Sequence, residues 1–186
     1  MTDVILVADG DNNARRAVEA AAKAIGARVI SRSGGNPTAI SPEEAIALIR
    51  EAAHGPVVVM ADDSGHPRAG EGEQVILEIL RQPDMRVLGL LVPAISDRLN
   101  ACAIAVDCSV TADGCVINGG VDKEGRPTGE RVVLSDTVYA LRNKTLPFPV
   151  VGIGDIGKMH WKDDYKISAP VTRRALEEIL RRSGRL

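Results

Sequence analysis

Carboxylates stand directly after apolar runs in this sequence. The run VILVA ends at Asp9, with Asp11 two positions on, and VVVMA ends at Asp62-Asp63. A third run, PVVGI, leads into Gly154, Asp155, Gly157 and Lys158, with Gly152 inside it. Apolar runs of this length suit strands buried on both faces. Carboxylates that converge at neighbouring strand ends repel one another, and a divalent cation or protonation relieves them. Oxygen donors of this kind suit calcium or magnesium, not zinc. The metal candidates are therefore Asp9, Asp11, Asp62 and Asp63. The plainer reading of the same residues is that aspartates after strands form turns and cap helices.

Gly152, Gly154 and Gly157 spell G-x-G-x-x-G, and Gly152, Gly157 and Lys158 spell most of a phosphate loop. Both motifs fail on context. Met159 stands where the phosphate loop needs Ser or Thr, and HWKDDYKIS lacks the period of a helix opening at the last glycine. The stretch reads as a tight structural or partner-binding loop. Together with Asn36 of the turn SGGNPT, the candidate ligand or partner-binding set is Asp9, Asp11, Asn36, Asp62, Asp63, Gly152, Gly154, Asp155, Gly157 and Lys158.

A catalytic motif is missing. There is no G-x-S-x-G elbow, no H-x-x-x-H pair, and no cysteine with a local base. The expectation is a protein that is not an enzyme. The alternative is a magnesium-dependent phosphate-handling or receiver-like domain using Asp9, Asp62 and Asp63, with Lys158 as counter-charge.

These residues need a scaffold, and the rest of the chain supplies its pattern. Apolar residues recur at helical spacing from Ala14 to Ile25, from Ala45 to Ala52, from Val75 to Leu80 and from Val171 to Leu180. Ser41-Pro42-Glu43-Glu44 is a capping box with proline at the first helical position. Strands are expected at Val4–Ala8, Arg28–Ser31, Pro56–Ala61, Arg86–Val92, Ala103–Val106 and in the run ending at Ile153. A short helix is expected within Pro93–Ala101, a hairpin turn at Asp113-Gly114, an exposed excursion over Asn118–Glu130, and a helix capped by Ser135 or Asp136. Strands alternating with helices predict an α/β fold: a single doubly wound, mostly parallel sheet, flavodoxin-like or Rossmann-like. One domain spans 1–186, with a small hairpin insertion at about 108–134.

The chain has 186 residues, of which 45% are hydrophobic and 26% charged, as in an ordinary globule. Aromatics make up 2%, so the core must be aliphatic. A net charge of −2 sets up no field for nucleic acid, and in the arginine-rich last helix Glu177 and Glu178 stand four positions before Arg181 and Arg182, the spacing of a solvated, paired face. No apolar run is long enough to span a bilayer, and the N-terminus does not resemble a signal peptide. Cys102, Cys108 and Cys115 form no C-x-x-C pair and read as reduced, mostly buried thiols.

Several stretches also carry a resemblance. VILVADGD, SGGNPT, ADDSGHPRAGEGEQ, GGVDKEGRP, SDTVYAL, VVGIGDIGKM and APVTRRALEEILRRSG occur in this order. Together they resemble the soluble stage V sporulation protein AE family of spore-forming Firmicutes over nearly the whole chain. The resemblance implies a soluble, non-enzymatic accessory of spore germination, located in the spore and free or peripheral to its inner membrane. Its partners would be other products of the stage V sporulation A operon, which is associated with moving dipicolinic acid and calcium across that membrane. No catalytic residues and no established cofactor carry over. Joined to the residues, this makes calcium dipicolinate a candidate ligand, with Asp oxygens on the cation and Lys158 or Arg68 on a carboxylate.

Overall fold

The computed structural model describes residues 1–52, 54–66, 68–96 and 101–186. Its elements in chain order are β1 (Thr2–Val7), α1 (Asn12–Ala24), β2 (Arg28–Val29), α2 (Pro42–Glu51), β3 (Val57–Met60), α3 (Glu71–Arg81) and β4 (Met85–Pro93). Then come β5 (Cys102–Ala105), β6 (Cys108–Val110), β7 (Val116–Ile117), β8 (Val132–Ser135), β9 (Val150–Ile153) and α4 (Pro170–Arg182). A seven-stranded sheet runs β2-β3-β1-β4-β9-β6-β7, parallel except for the β6–β7 hairpin. This is the doubly wound, mostly parallel α/β architecture that the alternation of strands and helices demands.

The period of two along β1 assigns its side chains. Val4 and Leu6 point into one aliphatic layer with Ile46 and Ile49 of α2 and Val75, Ile76 and Ile79 of α3. Ile5 and Val7 point into the other, with Ala17, Val18 and Ala21 of α1 and Leu176 and Ile179 of α4. These opposite layers decide where a crevice can form. The chain leaves β1 for α1 on one face and leaves neighbouring β3 for α3 on the other. Where adjacent strands send their connections to opposite faces, a crevice opens beyond the strand C-termini.

Helix starts follow local chemistry. Asp11 caps α1, accepting from the backbone N–H of Asn13 at 2.7 Å and of Ala14 at 2.9 Å. Ser41 caps α2, accepting from Glu44 N–H at 3.2 Å, with Pro42 leading the helix.

The middle of the chain departs from expectation. β5 does not join the main sheet; it pairs antiparallel with β8 in a separate two-stranded ribbon. Within the region read as an insertion, Cys108–Val110 lies in the main sheet, parallel to β9, and Gly114 at φ +79° turns the expected hairpin into β7. No helix follows Ser135 or Asp136: β8 ends there and turns carry the chain to Pro147. The turn's groups are satisfied from elsewhere. Glu73 of α3 accepts Ala140 N–H at 3.0 Å, and Thr137 Oγ1 accepts Asp63 N–H at 3.2 Å. A segment of about ten residues before a proline gains little from helix propagation, so these tertiary partners win. β4 runs on to Pro93, and the short helix expected within Pro93–Ala101 falls largely on residues 97–100, outside the described residues. The excursion Asn118–Glu130 is exposed from Arg126 onward, but Gly119 to Val121 and Gly125 are buried. Of the thiols, Cys108 is buried, Cys102 half-buried and Cys115 exposed.

Candidate functional site

Asp9 sits two residues past the end of β1, after Ala8, and Asp62 stands in the same place past β3. The parallel β1–β3 pairing sets them side by side. Asp62 is an organiser. Its Oδ2 accepts Gly10 N–H at 3.1 Å, its Oδ1 accepts Ser64 N–H at 2.7 Å, and its own N–H donates to Thr38 Oγ1 at 2.8 Å. One residue therefore ties together the loops after β1, β2 and β3, its carboxylate holding the first and third and its backbone N–H the second. Gly72 lets α3 approach this knot, since a Cβ there would lie 2.7 Å from Asp62 O.

From the other side come Asp155 and Lys158, just past β9. Lys158 Nζ donates to Asp11 at 2.9 Å and to Asp155 at 3.0 Å, and Lys123 Nζ lies 3.4 Å from Asp155. Asp136 closes a further wall, and Asn36 reaches the rim from the turn after β2. The enclosed crevice is about 140 Å³. That is room for roughly four or five waters, below the ~300 Å³ at which small-molecule pockets begin. A nucleotide does not fit inside it; an ion with its waters or a small polar group does.

Charge in the crevice is unbalanced: five carboxylates (Asp9, Asp11, Asp62, Asp136, Asp155) face two ammonium groups (Lys123, Lys158). The proton affinities record this. Asp9 is raised well above its ordinary value, first by burial, then by the charges of Asp11, Asp62 and Asp155, with only Asp11 N–H opposing. Asp62 is pushed up to about 6, by burial first and then by Asp136 and Asp11, against the N–H groups of Ser64 and Gly10. Asp136 is raised by burial and by Asp63. Asp11 goes the other way: burial pushes it up, but the N–H groups of Ala14 and Asn13 and the ammonium of Lys158 together hold it low. Lys158 is held above its ordinary value: its two carboxylates outweigh the effect of burial.

Six of the residues singled out from the sequence thus meet: Asp9, Asp11, Asn36, Asp62, Asp155 and Lys158. Asp63 does not join them. Its side chain turns to the start of α3, where Oδ1 accepts Glu73 N–H at 3.1 Å and Oδ2 is buried without a partner. Among the described residues, no three His, Cys, Asp or Glu side chains are placed to hold a metal ion, so Asp9, Asp11, Asp62 and Asp63 form no ready-made ligand set. Arg68 is exposed and lies outside the crevice; Lys123 stands there instead.

The glycines serve the protein's own packing. A Cβ on Gly152 would lie 2.7 Å from Val133 Cγ2, and one on Gly154 would lie 2.7 Å from Gly125 N. Gly157, at φ +76°, lets its backbone pass Asn13 O and donates its N–H to Asp163 at 2.9 Å. Lys123 and Asp136 escaped the sequence reading because neither follows a strand of the main sheet. The words GGVDKEGRP and SDTVYAL, which carry part of the family resemblance, contain these two residues and were the signal that could have found them.

No helix among the described residues is long and apolar enough to cross a membrane. No curated protein and no solved structure matches the chain. The family model for stage V sporulation protein AE1 matches residues 3–183, a span that includes every residue of the crevice. The chain belongs to the stage V sporulation protein AE1 family, and its role lies in sporulation.

Proposed function

We propose that the chain works by binding rather than by catalysis, as an accessory of spore germination, and that the crevice at the strand C-termini is its ligand seat. The observation that carries this reading is Asp9. It lacks a cation partner among the described residues, and burial first, then the charges of Asp11 and Asp62, push its proton affinity above that of an ordinary aspartate. A carboxylate in that state favours an arriving positive charge, and Asp62 beside it shares the need. Lys158 and Lys123, across the crevice, suit a carboxylate. A ligand with a cationic part and an anionic part matches both walls. Calcium dipicolinate, the candidate implied by the family, has that character, with its ring left outside the 140 Å³ crevice. Partners would come from the stage V sporulation A operon, and the site would lie in the spore, free or peripheral to its inner membrane.

Titration calorimetry with calcium, with dipicolinate and with both tests the reading. Saturable heat is expected with both together, reduced at least tenfold in affinity by Asp9→Asn and by Lys158→Gln. Binding should release protons near pH 6, so the apparent heat should change with the ionisation enthalpy of the buffer. No heat in any arm, or heat indifferent to both substitutions, removes the seat. Partner docking that survives chelation of calcium would make the same rim a docking face rather than a ligand seat.

A further inference from the structure

Four apolar side chains, Ile95, Val121, Val132 and Leu134, stand outside both aliphatic layers of the sheet. The period of two along β8 accounts for two of them. Val133 points into the α2–α3 layer, so Val132 and Leu134, half-buried, face the other way. All four wall one hollow of about 480 Å³ beside the end of β4, within the range of small-molecule sites. Its walls are braced. Ile95 N–H donates to Leu134 O at 2.9 Å, which ties the end of β4 to β8. The turn over residues 121–128 is closed by a bridge between Val121 and Pro127, and Asp122 Oδ1 accepts Arg126 N–H at 2.9 Å. Asp155 N–H donates to Lys123 O at 2.8 Å and Ala112 N–H to Gly125 O at 3.0 Å, which pins that turn to the main sheet. Gly120 lets it lie against β8, since a Cβ there would collide with Val132 O.

The hollow and the carboxylate crevice are one continuous space: Ala94, Ile95 and Lys123 wall both. A ligand whose charged end sits in the crevice therefore has an apolar room next door for the rest of it. We propose that this room receives the ring of a calcium-chelated aromatic dicarboxylate, with the metal and carboxylates at the crevice and Lys123 at the junction. The proposal rests on the ligand seat argued above and extends it to Ile95, Val121, Val132 and Leu134. Charge requires the chelate. The rim of the hollow carries Asp122, Glu124 and Glu130 against Lys123, so a free dianion is opposed and a neutral complex is not. Coordination requires it too. Calcium takes about six to eight oxygen ligands, and among the described residues no three carboxylates are placed to hold a metal ion. A calcium ion beside Asp9 and Asp62 must bring most of its donors with it. A ring suits the room better than a chain, because it keeps both carboxylates at one edge and loses no torsional freedom on entry.

Methyl NMR of the full chain, read beside calorimetry, separates the two halves of the site. Calcium and dipicolinate together should shift the methyl resonances of Ile95, Val121, Val132 and Leu134 through the ring current. Iminodiacetate with calcium in excess, which offers the same donor atoms without the ring, should leave them in place. Thr128→Tyr fills the hollow from an exposed position, and Leu134→Gln makes its wall polar. Each should weaken calcium dipicolinate at least tenfold with an unchanged circular dichroism spectrum. Binding that Asp9→Asn abolishes, but that leaves the four methyls and both hollow variants indifferent, overturns the proposal and leaves the crevice standing. Binding that the hollow variants abolish and Asp9→Asn does not removes the crevice and keeps the hollow as the ring's site. Dipicolinate that binds equally well without calcium overturns the chelate. No heat and no shift with calcium and dipicolinate overturns crevice and hollow alike.

Discussion

Asp9 and Asp11 are two positions apart on one turn, yet their proton affinities are pushed in opposite directions. Burial pushes both up, and the difference is in their neighbours: Asp11 has the first N–H groups of α1 and the Lys158 ammonium, and Asp9 has three other carboxylates. Glu73, buried at the start of α3, is pushed up to about 7, by burial first and then by Asp63. A carboxyl whose folded value is raised contributes stability that is complete below its unfolded value and is lost as pH rises through the folded one. Asp9, Asp62, Glu73 and Asp136 all act in this sense. Glu178 acts in the opposite sense. It is 1% exposed, and hydrogen bonds from Arg181 above all and from Arg182 hold it down to about 2, so its contribution fades only as pH falls toward that value. The melting temperature should therefore rise as pH falls from 8 toward 5. Asp9→Asn, which mimics the protonated form, should melt a few degrees higher than the parent at pH 8 and no differently at pH 4. Scanning calorimetry across that range checks both, and a variant that melts lower at pH 8 would refute the crowding of Asp9. At this scale the sequence was informative where position alone sufficed. Asp9, Asp11 and Asp62 were legible as strand-end carboxylates. Asp63 was not separable from Asp62, because adjacent residues after a strand face opposite sides and only the start of α3 decides which faces the crevice. Glu178 read as part of a solvated face because pairing with arginine says nothing about what lies beneath, which here is Cys108 of β6 at 4.0 Å.

The amphipathic periods of α1, α2, α3 and α4 carried those helices unaided, because each buries one apolar stripe against the sheet. The turn after β8 carried similar local signals but no helix, since its polar groups bond to α3 and to the loop after β3. Local pattern yielded there to tertiary partners. The start of α4 was also illegible. Its N-cap position is Ala169 at φ +42°, a residue with no side-chain acceptor, and the true acceptor is Asp163 in the stretch that looked least like a helix signal. Asn at 163 offers one acceptor oxygen where four donors converge from Gly157, Val171 and Thr172, leaving buried N–H groups unpaired at roughly 1–3 kcal/mol each. Asp163→Asn should cost about 3 kcal/mol, or roughly 6–12 °C in melting temperature for a chain of this size. Urea unfolding followed by circular dichroism measures the loss, and the same denaturation curve in both proteins would mean the start of α4 is held by something else. Because the carboxylate also grips Gly157 N–H, the variant should loosen Lys158 and weaken any ligand of the crevice in parallel.

The crevice is where connections from both faces of the sheet diverge, and its walls come from parts of the molecule with unequal support. β1 lies between β3 and β4, paired on both sides and covered by helices on both faces. The Asp9 and Asp62 walls hang from this centre. The Asp136 wall follows β8, half of a two-stranded ribbon whose partner β5 exposes Ala103 and Ala105 and buries Ile104. Ile104 and Val133 tie the ribbon to the helix α2–α3 layer. A two-stranded unit is marginal alone, so its amides depend on those few side chains, on the bond from Ile95 N–H to Leu134 O at 2.9 Å and on the Glu73–Ala140 bond. Local opening should therefore reach the ribbon well before the sheet. Hydrogen exchange at pH 7 should show amides of Cys102–Ala105 and Val132–Ser135 exchanging at least tenfold faster than those of Val4–Val7 and Leu90–Val92. Equal protection would mean that the ribbon unfolds with the main core and that all walls of the crevice are equally rigid. If the ribbon opens first, a ligand that spans Asp9 and Asp136 binds only the closed form and must slow ribbon exchange in proportion to its occupancy. Slowing that spared the ribbon while calorimetry registered binding would locate the ligand on the β1–β3 side alone.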